Sequence, residues 1–224
     1  MVSNLNNMLS SFHPSTGVDE VVWVPSATGI FSVPEAMRIL VIADNSNLLD
    51  WKKKIVWNNR VPSKISIFHW LACNRCFPVK ETLIRRQILR DHFSSLCIWC
   101  NLIPESVELL LLHRTWSFSI WSALFNWWNV RWVIPKTILE FSSDWFHVMG
   151  IGDKKFWSLI GPATLWSIWL ARNDFVFNDN YTCWKSIVRQ IKLKVFPWAT
   201  FHKLCCSHQF YVWEFNPALL CFSA

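Results

Sequence analysis

Eight cysteines and seven histidines are the side chains of this sequence best able to hold a soft metal ion. Four of the cysteines fall into two C-x2-C pairs, Cys73 with Cys76 and Cys97 with Cys100, separated by twenty residues. Two intervening residues let both thiolates reach one ion, and the distance between the pairs suits a four-cysteine zinc centre. A second possible set combines Cys97 and Cys100 with His113 and a ligand from elsewhere in the chain. Each set has a plainer competitor. Cys73 and Cys76 fall at the end of a predicted helix, not in a tight turn. A single histidine within a helix is more often packed or solvated than ligating.

Catalytic constellations are thin. Glu105, Glu108, Asp144, Asp153, Asp174 and Asp179 show no spacing that would bring two carboxylates to a pair of metal ions. No phosphate-cradling glycine loop, nucleophile elbow or H-E-x-x-H is present, so the sequence reads as non-catalytic. Anion binding has more support, because the net charge is +7 and basic residues lie beside aromatics in three places. These are Lys52, Lys53 and Lys54 between Trp51 and Trp57; Arg85, Arg86 and Arg90; and Lys185, Arg189, Lys192 and Lys194. Such cations neutralise phosphates while tryptophan stacks on unpaired bases of RNA or DNA. The alternative for each cluster is a solvated helix face over a tryptophan core.

The elements that must position these groups are mainly helical, with a small N-terminal β-hairpin and the C-x2-C knuckle at 97–100. V-V-W-V-P-S-A-T-G-I-F-S-V reads as two short strands around a Ser-Ala-Thr-Gly turn. K-I-S-I-F-H-W-L-A-C-N is helical, with Ile67, Trp70 and Leu71 at i, i+3 and i+4 as its apolar face. K-E-T-L-I-R-R-Q-I-L-R-D-H resumes a helix, and one long helical run is expected from about Glu105 to Val130. One or two buried helices follow after 151, then an amphipathic basic helix with Ile187, Ile191 and Val195 at four-residue spacing. The expected organisation is a loose N-terminus at 1–20, a domain at 21–134 and a helical extension at 135–224.

Seventeen tryptophans against two tyrosines, in a chain 52% apolar, call for a large packed core. Residues 115–130 and 156–171 carry no charge, but both fall short of the ~20 residues that span a bilayer. The polar N-terminus lacks a signal peptide, so the expectation is an intracellular protein, of nucleus or cytoplasm, with reduced thiols.

Several landmarks in fixed order resemble one family. They are W-V-P-S-A-T-G-I-F-S-V, W-N-N-R-V-P-S-K-I-S-I-F-H-W-L-A-C-N-R, K-E-T-L-I-R-R-Q-I, the C-x2-C and E-S-V, with L-W-S-I-W-L-A-R-N-D-F-V-F further on. Together they resemble the zinc-binding domain that follows the reverse transcriptase of plant non-LTR retrotransposons. The resemblance implies nucleic-acid or partner binding within a parent polyprotein, with Cys97 and Cys100 as inherited zinc ligands. The family's remaining histidine and cysteine fall on Leu109 and Arg114, which implies a degraded site open to rescue only by His113, Cys73 or Cys76. The contrasting expectation is a metal-free remnant or protein-interaction module that binds no nucleic acid.

Overall fold

The structure, a computed structural model, describes residues 22–24, 28–30, 32, 56–57, 60–89, 95–148, 151–204 and 210–217. By contacts the chain forms two compact units, 1–49 and 50–224. In the first, most of the expected hairpin lies outside the described residues. Within them the Trp23 N–H donates to the Gly29 carbonyl at 2.8 Å. Gly29 sits at φ +70°, a left-handed position that favours glycine, and an added Cβ would come within 3.1 Å of Val22 Cγ1.

The second unit is helical throughout its described residues. Its elements are α1 (Ser63–Cys73), α2 (Lys80–Arg85), a π-turn (Leu109–His113), α3 (Thr115–Trp127), α4 (Ile138–Val148), α5 (Ile151–Asn178), α6 (Trp184–Phe201) and α7 (Phe210–Phe215). No strand occurs among the described residues; Leu96 and Pro104 form an isolated antiparallel bridge. Lys52, Lys53, Lys54 and Arg90 lie outside the described residues.

The organising element is α5, whose 28 residues span about 42 Å at 1.5 Å per residue. Its middle is apolar all round because it is enclosed all round: Phe156, Trp157, Leu159, Ile160, Ala163 and Leu165 are buried. Pro162 has no N–H to give the turn before it, a cost of about 3 kcal/mol in a helix interior that surrounding packing must offset. On one side α6 lays down Ile187, Ile191 and Val195, all buried, as their four-residue spacing predicts. On another side α1 packs against α5 through Phe68, which meets Trp166 edge-on at 5.2 Å. The core therefore runs through both of the segments expected as 21–134 and 135–224.

Two expectations need correction. The buried face of α1 is Ile65, Phe68, His69 and Ala72, whereas Ile67 and Trp70 are 47% and 41% exposed. The helix is apolar on both sides, and periodicity cannot say which side faces the core. The long run expected from Glu105 to Val130 is not one helix either. It breaks at Arg114, whose backbone is extended at φ −65°, ψ 143°. The wide turn before the break leaves carbonyls that side chains satisfy. Ser117 Oγ donates to the Leu110 carbonyl, and the Trp121 indole N–H donates to that of Leu111 at 2.9 Å.

With only five glycines in the chain, several helices end on non-glycine residues in the left-handed region. Arg75, Gln87, Asn129 and Lys203, at φ 54–58°, close α1, α2, α3 and α6. Gln87 is what stops α2 short of the helix expected to run on towards residue 92. Its N–H bonds the Ile84 carbonyl and that of Ile88 bonds Leu83.

Candidate metal centre

Residues 95–105 fold back on themselves as a narrow loop. The Glu105 N–H donates to the Ser95 carbonyl at 2.9 Å, and the Cys97 N–H to that of Ile103 at 2.8 Å. Within the loop the Asn101 N–H returns to the Cys97 carbonyl, and Asn101 takes a φ of 55° to reverse the chain. The Leu102 N–H then points at Cys100 Sγ, 3.3 Å away. Cys97 is fully buried and Cys100 partly so. Burial raises the Cys100 pKa. It is outweighed by the N–H groups of Leu102 and Ile103, the charge of Arg114 and the Cys97 thiol, which leave it below the ordinary thiol value.

The π-turn joins a second pair of positions, 109 and 114. The Arg114 N–H closes on the Leu109 carbonyl, five residues back, at 2.9 Å. In an α-helix, residues five apart diverge by about 140°; the wider π-turn narrows that angle. Leu109 and Arg114 are also the two positions on which the family resemblance places the remaining ligands. Neither supplies one. Leu109 has no donor atom, and Arg114 is a permanent cation whose Nε and Nη2 are buried without a hydrogen-bond partner. At about 4 Å and an effective dielectric near 20, a divalent ion and a guanidinium repel by on the order of 8 kcal/mol. A complete structural zinc site in a finger peptide supplies about 10–16 kcal/mol, and half of these ligands are gone. The residues at this centre do not fit zinc.

What fixes the loop instead is Trp99, the residue between the two thiols. Its ring stacks on Trp116 at 4.9 Å and on Phe175 at 4.8 Å, with Tyr181 edge-on at 5.8 Å. Trp116 comes from α3 and Phe175 from α5, so the clamp ties the loop to both helices.

Cys73, Cys76 and His113, the other candidate ligands, are engaged elsewhere. The Cys76 N–H bonds the Leu71 carbonyl at 3.0 Å and the Arg75 N–H that of Ala72, so the first C-x2-C is a helix terminus. Cys73 Sγ lies 3.8 Å from Ser142 Oγ, and Cys76 Sγ faces the Asn74 carbonyl. His113 is exposed and its Nε2 lies 3.1 Å from the Lys136 carbonyl oxygen. Among the described residues no three His, Cys, Asp or Glu side chains converge as a metal site.

The basic clusters divide sharply. On α6, Arg189 pairs with Glu214 at 3.1 Å and Lys192 reaches the Glu214 carbonyl at 2.9 Å while lying 4.5 Å from the Trp127 ring. Lys194 donates to Ser167 Oγ at 3.0 Å. Burial lowers both lysines, with Glu214 partly offsetting it at Lys192 and Lys64 adding to it at Lys194. These cations fasten α6 to α5 and α7. Arg85 and Arg86, at the end of α2, are exposed and form no ion pair among the described residues. Arg85 donates weakly to the Arg75 carbonyl at 3.4 Å, and Arg75 itself pairs with Glu108.

Among the described residues a C-x2-C loop is packed among helices. Residues 31–121 match the family model described as zinc-binding in reverse transcriptase. A putative ribonuclease H protein of Arabidopsis thaliana is 25% identical over 172 residues, covering 74% of this chain. The chain matches only 26% of that protein's length. No solved structure matches it. The family's description implies zinc, which the residues at 109 and 114 do not accommodate. Among the described residues no helix is long and apolar enough to cross a membrane.

Proposed function

We propose that the chain is a non-catalytic, retrotransposon-derived binding module that contacts RNA or DNA through Arg85 and Arg86, with a degraded zinc site as scaffold. The observation that carries this reading is that those two guanidinium groups are exposed and have no carboxylate partner among the described residues, whereas Arg189, Lys192 and Lys194 on α6 already have partners. Exposed arginines without carboxylate partners are available to phosphates, and each contact would release counterions. The family's place beside a reverse transcriptase and a relative named as a ribonuclease both favour a nucleic-acid ligand. The first experiment is anisotropy of labelled single-stranded RNA and DNA against salt concentration. Binding that weakens steeply with salt supports the reading. Absence of binding at low salt leaves the chain as a metal-free protein-interaction module, the reading that the internal use of Arg189, Lys192 and Lys194 favours.

A further inference from the structure

We infer that the Cys97–Cys100 loop has exchanged its metal ion for an aromatic clamp and a cation of its own chain, and that the four-ligand cradle persists in latent form. Three observations converge. Trp99 is held between Trp116 and Phe175 at stacking distance on both faces, so the loop is fixed to α3 and α5 without any ion. The Trp99–Trp116 stack also ties the start of α3, with Arg114 two residues before Trp116, to the loop. Arg114 keeps two of its guanidinium nitrogens buried and unpaired. The backbone has kept the geometry of ligation although the side chains have not. The Leu102 N–H still faces Cys100 Sγ, as it would a metal-bound thiolate, and the π-turn still joins 109 to 114.

The test is zinc stoichiometry by elemental analysis and melting temperature, on the full chain purified under reducing conditions with zinc supplied. The wild type is expected to hold far less than one zinc per chain and to melt at the same temperature with and without chelator. One zinc per chain with chelator-sensitive melting overturns the inference. Leu109→His with Arg114→Cys is expected to bind one zinc per chain and to melt higher with zinc than without. A folded double variant that takes up no zinc overturns the latent cradle. Should that variant not fold, Arg114→Ser removes the cation alone and is expected to bind zinc at least about ten-fold more tightly than wild type. Equal affinity counts against the cation. Trp99→Ala is expected to lower the melting temperature by at least about 6 °C, and an unchanged value removes the clamp from the account. None of these readouts involves nucleic acid, so they stand or fall apart from the binding proposal.

Discussion

Glu105 and Arg172 are 67 residues apart in sequence and joined in the core by a 2.7 Å ion pair, with the carboxylate fully buried. Glu105 Oε1 also accepts the Lys80 N–H at 3.2 Å, at the start of α2, and Arg172 lies 5.1 Å from the Trp169 ring. One pair thus binds the loop, the short helix α2 and the long helix α5. Removing one partner leaves the other charged and dry. Arg172→Met is expected to lose about 3–5 kcal/mol in urea denaturation. Glu105→Gln with Arg172→Met should lose less than the sum of the single changes, because no unpaired charge remains. Strict additivity would mean that the pair is not a unit.

His69 makes stability depend on pH in a defined window. Its Nε2–H donates to Ser142 Oγ at 2.7 Å, since the Ser142 hydroxyl proton is directed to the Ile138 carbonyl. Burial lowers its pKa from 6.5 to about 4. The unfolded chain therefore binds the proton more readily than the folded one. Stability is full above pH 6.5, falls as the pH drops towards 4 and levels off below that. The total loss from this group is on the order of 3 kcal/mol. Denaturation midpoints across pH 4–7 should be flatter for His69→Gln than for wild type; parallel curves would assign the acid sensitivity elsewhere.

Lys203 closes α6 at φ 55° with its N–H on the Thr200 carbonyl, and its side chain is exposed. A side chain there costs about 1–2 kcal/mol that glycine avoids. Lys203→Gly should raise stability by about 1 kcal/mol after the entropy of the more flexible unfolded chain is deducted. A drop in melting temperature would show that Lys203 contributes a contact beyond the backbone turn.

Much of the fold was legible in the sequence, and the residues show why the rest was not. Ile187, Ile191 and Val195 form one stripe on an otherwise charged helix, so periodicity identified the buried side of α6. On α1 apolar residues cover both sides, and only the tertiary position of Phe68 against Phe77 and Trp166 decides between them. The break at Arg114 has no glycine or proline to announce it. The resemblance placed Leu109 and Arg114 at the vanished ligands, but the π-turn that joins them is a backbone property. Glu105 and Arg172 each sit in a recognisable motif, E-S-V and A-R-N, yet sequence spacing says nothing of a pair formed across the core. Trp99 was one tryptophan among seventeen until its stacking partners were known.

The division of the basic residues gives the sharpest prediction about binding. Arg189, Lys192 and Lys194 already have partners in Glu214, Trp127 and Ser167, so their charges are not free to meet phosphates. Replacing Arg189 and Lys192 with glutamine should lower stability, while the salt slope of nucleic-acid binding stays as it was. Arg85→Gln with Arg86→Gln should leave the melting temperature within a few degrees of wild type, since both are exposed and make no ion pair among the described residues. If each arginine neutralises one phosphate, the slope of log affinity against log salt should shrink by about 1.4–1.8 on single- or double-stranded ligand. The opposite pattern, with α6 setting the slope and Arg85 and Arg86 without effect, would move the contact surface to α6 and require it to detach from Glu214 on binding.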